Sequence, residues 1–418
     1  MSKFRINGGQ ALSGEIRISG SKNAIFPLLA ACLLTDEECV LTNVPKIKDA
    51  EYMLEIISDL GVKVNFSENK AVIQASELKS HKPNPELVSK LRGSLVLVGA
   101  LLGRLGKADI PHPGGDRIGT RQIDAHVEAF RALGVKVNTD NSIVFSTDKL
   151  IASKIVLEET SVTATENTLL AAVKASGTTI IKLAAMEPHV EQLCNFLNKM
   201  GAKISGMGSP TLTVVGVDKL HGAKIEVIPD SEEAASLITL AAACKCDVKV
   251  THINPEYLED YLLKIKKMNV NFEIGPDFVH VHKPVSDYKG AKIQCGLYPK
   301  LNSDHLPPMA VLASQATGET LIYEWLYENR LGYVPQLVKM GAKAKILDPH
   351  QVKITGPTPL YGQNITTYDL RMGITLVIAA LIAEGQSEIS DIHHIDRGYE
   401  NLEQRLKAIG ADITRIEE

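Results

Sequence analysis

The sequence has little that could hold a nucleic acid. Among 418 residues there is one Trp, aromatics make up 5%, and no dense Lys/Arg run offsets a net charge of -4. Nucleic-acid binders carry a strongly basic face, so DNA and RNA are not expected partners. Long apolar runs are also missing: the longest stretch, Ala24 to Leu34, is short and interrupted by Pro27. The opening Met1-Ser2-Lys3-Phe4-Arg5-Ile6-Asn7-Gly8 has no basic-then-apolar pattern. Neither a signal peptide nor a membrane span is expected. The cysteines, Cys32, Cys39, Cys194, Cys244, Cys246 and Cys295, form no CxxC pair and no zinc-like Cys/His cluster. They read as reduced, mostly buried thiols of a cytoplasmic protein, with no disulfide frame and no metal site. No P-loop or HExxH occurs, and Gly206-Met207-Gly208 runs into Ser209-Pro210 and a strand rather than a dinucleotide fingerprint.

What is present is ordinary globular composition, 44% apolar and 22% charged, in a chain long enough for two or three domains. A short phrase recurs about every 70 residues: Leu60-Gly61-Val62-Lys63-Val64, Leu133-Gly134-Val135-Lys136-Val137, Met200-Gly201-Ala202-Lys203-Ile204, Met268-Asn269-Val270-Asn271-Phe272, Met340-Gly341-Ala342-Lys343-Ala344 and Ile409-Gly410-Ala411-Asp412-Ile413. A fixed period marks a repeated structural unit. The Gly, once Asn, suits the left-handed position that ends a helix, and the alternation after it suits a strand. Each unit opens with an Ala/Leu-rich segment such as Leu28–Leu34, Leu169–Val173 or Leu376–Ile382. Helices this apolar all round are buried, so the expected architecture has helices inside and sheets outside.

About 40 residues before each repeat Gly, where the buried helix should begin, stand Ser21-Lys22-Asn23, Leu91-Arg92-Gly93-Ser94, Ser161-Val162-Thr163, Asp230-Ser231-Glu232, Asn302-Ser303-Asp304 and Asp369-Leu370-Arg371. These are polar positions rich in N-cap types. Helix N-termini favour anions, and Lys22, Arg92 and Arg371 add full charges, so such ends gathered in one cleft suit a multiply charged anion. The bland reading is that they only cap helices. Two further segments carry chemistry. Pro111-His112-Pro113-Gly114-Gly115-Asp116-Arg117-Ile118-Gly119-Thr120-Arg121 has the composition of a lid that excludes water. His393-His394-Ile395-Asp396-Arg397 offers Arg397 as a further anion ligand, and its adjacent histidines are read as structural.

Gly20-Ser21-Lys22-Asn23-Ala24, the Pro113–His126 run, Ser161-Val162-x-Ala164-Thr165, Tyr368-Asp369-Leu370-Arg371 and His394-Ile395-Asp396-Arg397-Gly398-Tyr399-Glu400 together resemble the bacterial UDP-N-acetylglucosamine 1-carboxyvinyltransferases over essentially the whole chain. The sister 3-phosphoshikimate carboxyvinyltransferases share the fold, but their usual Lys-Ser pair differs from Lys22-Asn23. The resemblance implies an inside-out α/β barrel fold of the EPT/RTPC type, in two domains of three βαβαββ units each. The lid-bearing catalytic domain spans 21–229, and 1–20 with 230–418 form the second, with the active site in the cleft between them. It implies transfer of the enolpyruvyl group of phosphoenolpyruvate to the 3′-hydroxyl of UDP-N-acetylglucosamine, without cofactor or metal, as the first committed step of peptidoglycan synthesis. By the same resemblance Lys22, Arg92, Arg121, Arg371 and Arg397 serve phosphoenolpyruvate. Asn23, Arg92, Arg121, Asp124, Ser161, Val162, Asp304 and Leu326 serve the UDP-sugar, and Asp369 orders the cleft. Asp116 protonates carbon, Asp304 is the general base, and Lys22 and Arg397 complete the catalytic set.

The sequence also departs from that family. Asp116 stands where most members have Cys, which removes the thiol that the epoxide fosfomycin alkylates and implies insensitivity to it. Glu159 replaces the usual Lys, Thr163 Gly, Gln122 Pro and Ser231 Arg, all on the acceptor side. Two alternatives therefore stay open: an enolpyruvyl transferase acting on another acceptor, such as a nucleoside monophosphate or shikimate 3-phosphate, or a catalytically silent nucleotide-sugar-binding paralogue.

Overall fold

Six helices have almost no polar face, and most of their residues are buried: Lys22–Ala31, Leu97–Leu105, Val162–Ala172, Ser231–Ala243, Leu306–Ser314 and Leu370–Ile382. The computed structural model that shows them describes every residue except 1, 112, 113, 115–118, 120, 121, 140, 141 and 418. The helices fall into two groups of three. Within each group all three touch one another, with sheets packed outside them. Burying such helices against each other and against the inner faces of sheets removes their apolar surface from water, which is the main favourable term in folding.

The repeat is clearest in its third copy. Strand Lys154–Val156 leads into the buried helix Val162–Ala172 and returns as Thr178–Lys182, parallel to the first strand. An amphipathic helix, Pro188–Lys199, then leads to a hairpin of Lys203–Ser205 and Thr211–Val215, whose second strand pairs antiparallel with Thr178–Lys182. Every amphipathic helix ends where the repeated phrase predicts. Gly61, Gly134, Gly201, Gly341 and Gly410 have φ between 83° and 111°, and Asn269 has φ 68°. That region is open to glycine and tolerated by asparagine, which explains why those types recur there.

Two units result. One contains the described residues of Gly20–Gly115 and Arg121–Ile228, and the other contains those of Met1–Ser19, Asp116–Thr120 and Pro229–Glu418. Each has its own continuous hydrophobic core. The units complete their sheets with strands borrowed out of chain order. Lys224–Glu226 pairs parallel with Cys39–Thr42 in the first, and Ser13–Arg17 pairs parallel with Asp247–Thr251 in the second. Lys3–Asn7 lies between Gln386–Ser390 and Asp412–Ile416, so the N-terminal segment finishes the unit that holds the C-terminal half.

One copy departs from the βαβαββ pattern. Its sheet has three strands, Lys107–Ile110, Ile143–Ser146 and Lys136–Asn138, and no parallel first strand among the described residues. A hydrogen bond from Asp109 N–H to His81 C=O, 2.9 Å, stands where that strand's ladder would begin. Pro83 and Pro85 follow at once, and proline lacks the N–H a ladder needs. The same copy holds a close helix crossing. A Cβ on Gly99 would lie 2.2 Å from the Asn167 carbonyl oxygen, so only glycine lets Leu97–Leu105 approach Val162–Ala172 this closely. Among the described residues no helix is long and apolar enough to cross a membrane.

Candidate active site

In the first unit, Ser21 caps the helix Lys22–Ala31, its hydroxyl accepting from Ala24 N–H at 3.3 Å. The cap sets Lys22 at the first helical position. Its ammonium lies 3.4 Å from Asp49 Oδ2 and 5.3 Å from the centroid of the Phe26 ring. Asp49 is fully buried, so the pair is shielded from salt and water on one side and fixes where the cation stands. Asn23 follows on the same half-buried turn.

Ser161 repeats the arrangement at Val162–Ala172, accepting from Ala164 N–H at 3.3 Å. Behind it sits His126, whose Nδ1 is 3.1 Å from the side-chain nitrogen of Asn167 and whose Nε2 is 3.1 Å from the Thr163 hydroxyl. Asn167 donates to the Leu95 carbonyl and accepts from Gly99 N–H, which orients its amide. His126 Nδ1 must then accept, so the ring is the neutral Nε2–H tautomer. Burial, with the Arg92 charge second, pushes its pKa down to about 3, which agrees with that assignment. The Thr163 hydroxyl therefore binds the ring of His126. Asp124 opens the helix Asp124–Ala132 and is exposed, as are Gln122 and Glu159. The second helix start differs from expectation. Leu91 makes no side-chain cap, and Arg92 opens the 3₁₀ turn Arg92–Val96 that precedes the buried helix.

In the second unit, Asp304 stands between two arginines. Its Oδ2 accepts from Arg371 Nε at 2.7 Å, and Oδ1 accepts from the Arg330 guanidinium. The arginine side chains are 6% and 5% exposed, against 23% for Asp304, so the carboxylate is the member that reaches solvent. Asn302 caps the turn Ser303–His305 by accepting from Asp304 N–H at 2.9 Å. Asp369 caps Leu370–Ile382 by accepting from the N–H groups of Arg371 and Met372, both at 2.9 Å. Arg371 also donates to the Tyr399 hydroxyl at 3.3 Å, and Tyr399 in turn to Ser236 at 3.0 Å. Guanidinium, carboxylate and phenol thus form one network whose buried charges are paired, as buried charges must be.

Three further features belong to this unit. Asp230 caps Ser231–Ala243, and burial, then the Glu232 charge, pushes its carboxyl up to about 7 against the pull of Arg371. Ser231 donates to Glu232, which also accepts from Asn302. Leu326 sits in a turn held by the buried Glu324, whose Oε1 accepts from the N–H groups of Leu326 and Tyr327 at 2.8 and 3.2 Å. Arg397 is half-buried at the end of the turn His393–Asp396, and the neighbouring Asp396 carboxylate is held by Arg415 at 2.7 and 2.9 Å.

The structure thus brings Asp304, Asp369 and Arg371 together, and sets Lys22 and Asn23, Ser161 and Val162 on capped helix starts. Asp116 and Arg121 lie outside the described residues. Sequence reasoning missed Asp49, Glu324 and Arg330 as supports. Asp49 and Glu324 are buried carboxylates outside any repeat-start position, and Arg330 follows the unremarkable Tyr327-Glu328-Asn329, so no local pattern marks them.

Two α/β units, each with three sheets around three buried helices and charged groups fixed at the helix starts, define the architecture of the enolpyruvyl transferases. The enolpyruvyl transferase NikO from Streptomyces tendae aligns with a TM-score of 0.89 at 24% identity, over 99% of this chain and 98% of that one. EPSP synthase from Acinetobacter baumannii aligns with a TM-score of 0.76 at 19% identity, over the whole of both chains. The family model for EPSP synthase (3-phosphoshikimate 1-carboxyvinyltransferase) matches residues 6–406. The chain belongs to this family. Within it, the chain is 40% identical to a UDP-N-acetylglucosamine 1-carboxyvinyltransferase of Treponema denticola, over 99% of each. It is 43% identical to one of Caldanaerobacter subterraneus over the whole of both, and 42% identical to one of Clostridium acetobutylicum over 99% of each.

Proposed function

We infer that this chain transfers the enolpyruvyl group of phosphoenolpyruvate to the 3′-hydroxyl of UDP-N-acetylglucosamine, releasing phosphate, in the cytoplasm and as the first committed step of peptidoglycan synthesis. The observation that carries this reading is identity of 40–43% over full length to relatives named for that reaction. No cofactor enters the chemistry. A proton is added to the methylene carbon of phosphoenolpyruvate, cation character develops at the neighbouring C2, and the sugar hydroxyl attacks there. The resulting ketal loses phosphate by breaking the C2–O bond while the methyl carbon returns its proton.

The residues support each step. Asp116 supplies the proton to carbon. Lys22, Arg92, Arg121 and Arg397 hold the phosphate and carboxylate, and such preorganised donors each contribute a few kcal/mol, of order 3, to the transition state. Asp49 keeps the Lys22 ammonium in place. Asp304 takes the hydroxyl proton. A carboxylate suffices, because a hydroxyl bonding to a cationic carbon becomes strongly acidic as it reacts. Arg371 belongs with the phosphoenolpyruvate cations and also orients Asp304, donating to its Oδ2 at 2.7 Å. Asn23, Asp124, Ser161, Val162 and Leu326 border the UDP-sugar.

The test is phosphate release from phosphoenolpyruvate with UDP-N-acetylglucosamine, a nucleoside monophosphate or shikimate 3-phosphate as acceptor. Release with the UDP-sugar is expected. Release with another acceptor alone overturns the substrate, and binding of the UDP-sugar without turnover overturns the enzyme.

A further inference from the structure

We propose that His280, His282 and Asp247 form a binding site for one divalent transition-metal ion of the zinc class, on the outer face of a sheet and apart from the transferase residues. The site follows from strand register. Asp247–Thr251 pairs antiparallel with Phe278–Val281, and Val248 opposite Val281 sets Asp247 beside His282 and diagonal to His280. His280 and His282 are two residues apart, so both rings leave the same face, and the valines at 279 and 281 point into the core. The neighbouring strand Phe272–Ile274 sets Glu273 opposite His280. Helix Ser231–Ala243 packs against the inner side of this sheet, so the cluster faces outward.

The geometry is that of ligands around a small ion. One donor atom from each of Asp247, His280 and His282 lies within 4.8 Å of the others. His280 Nε2 is 2.8 Å from Asp247 Oδ1, and His282 Nδ1 is 3.3 Å from Oδ2. Bonds of about 2.0–2.2 Å to a tetrahedral ion put ligand atoms roughly 3.3 Å apart, so modest side-chain rotation closes the set. The ring centroids are 4.1 Å apart, which keeps both imidazoles on one side of the carboxylate. His282 Nε2 turns away, 3.9 Å from Glu273 Oε2. A carboxylate on the second nitrogen of a metal-binding histidine fixes its tautomer and raises its basicity. Glu273 stands close enough to take that place by a small side-chain rotation, as a positioning residue, and water completes the coordination. Two carboxylates balance the charge of a doubly charged ion. Lys249, opposite His280, is the nearby countercharge, and its ammonium is drawn over the Phe278 ring, 3.9 Å from the centroid. Imidazole with carboxylate suits zinc, nickel or copper rather than magnesium or calcium.

The test is calorimetric titration of the full-length, metal-stripped protein with zinc chloride, alongside H280Q, H282Q, E273Q and D247N. Wild type is expected to take up one equivalent with a micromolar dissociation constant, and its melting temperature to rise on zinc addition. H280Q and H282Q should each weaken binding about 100-fold, and E273Q about 10-fold. Phosphate release should stay at the wild-type rate in all four. Cobalt substitution of wild type gives a second readout that needs no variant, since tetrahedral histidine ligation produces intense visible bands. Absence of saturable zinc uptake by wild type overturns the site, as does wild-type uptake by both H280Q and H282Q or a cobalt spectrum of the aquo ion.

Discussion

Replacing Asp304 with Asn tests the network at the centre of the candidate site. The change keeps the size of the side chain but removes the charge that Arg330 and Arg371 share, leaving two guanidiniums, each about nineteen-twentieths buried, without their common counter-ion. Two charge-assisted contacts are weakened, each typically worth about 1.5–3 kcal/mol. Asp304 is 23% exposed, so water recovers part of that loss. Removing one member of a largely buried pair then costs about 3 kcal/mol net. In a unit of roughly 200 residues this lowers the melting temperature by about 6–12 °C. The hydroxyl also loses its proton acceptor, which lowers kcat by about 100- to 10,000-fold. Scanning fluorimetry and phosphate release read the two effects separately. A melting temperature within 2 °C of wild type and a kcat within threefold, both taken at about neutral pH, refute the reasoning that Asp304 is both ion-paired and catalytic.

Three other outcomes follow from named groups. Asp230 has its carboxyl raised to about 7, so the fold binds a proton that the unfolded chain has already lost. Stability should therefore fall as pH rises from about 4 to 7, by at most about 4 kcal/mol. D230N keeps an equivalent cap and should abolish that slope in denaturant unfolding; an unchanged slope contradicts it. D49N removes the carboxylate under Lys22 and should lower kcat/KM for phosphoenolpyruvate by about 10- to 100-fold, whereas a change under threefold means that Asp49 does not position Lys22. Fosfomycin should leave activity intact and add no mass to the protein, because Asp116 offers no thiol to the epoxide; a covalent adduct at Asp116 refutes this.

The fold was legible because it is written six times. A glycine at the left-handed helix end, an all-apolar helix and a strand recur with one period, and a pattern that survives six copies outweighs local ambiguity. The missing strand near residue 81 was not legible from the repeat, since it depends on Pro83 and Pro85 overriding the period. Cap residues such as Ser21, Ser161 and Asp369 could be read because capping is a local chemistry with few suitable side chains. The supports could not. Asp49, Glu324 and Arg330 act across 20 or more residues of chain or from within a turn, and only tertiary packing puts them against Lys22, the Leu326 turn and Asp304. The binding of His126 by Thr163 is of the same kind, a contact between residues 37 apart that no local pattern marks.

The most direct measurement uses phosphoenolpyruvate carrying heavy oxygen at the position bridging carbon and phosphorus, with UDP-N-acetylglucosamine as acceptor. Addition and elimination at C2 break the bond between carbon and that oxygen, so all of the label should leave in inorganic phosphate and the sugar should gain an unlabelled enolpyruvyl ether. Label retained on the three-carbon fragment, or a phosphorylated sugar, would show attack at phosphorus and contradict enolpyruvyl transfer.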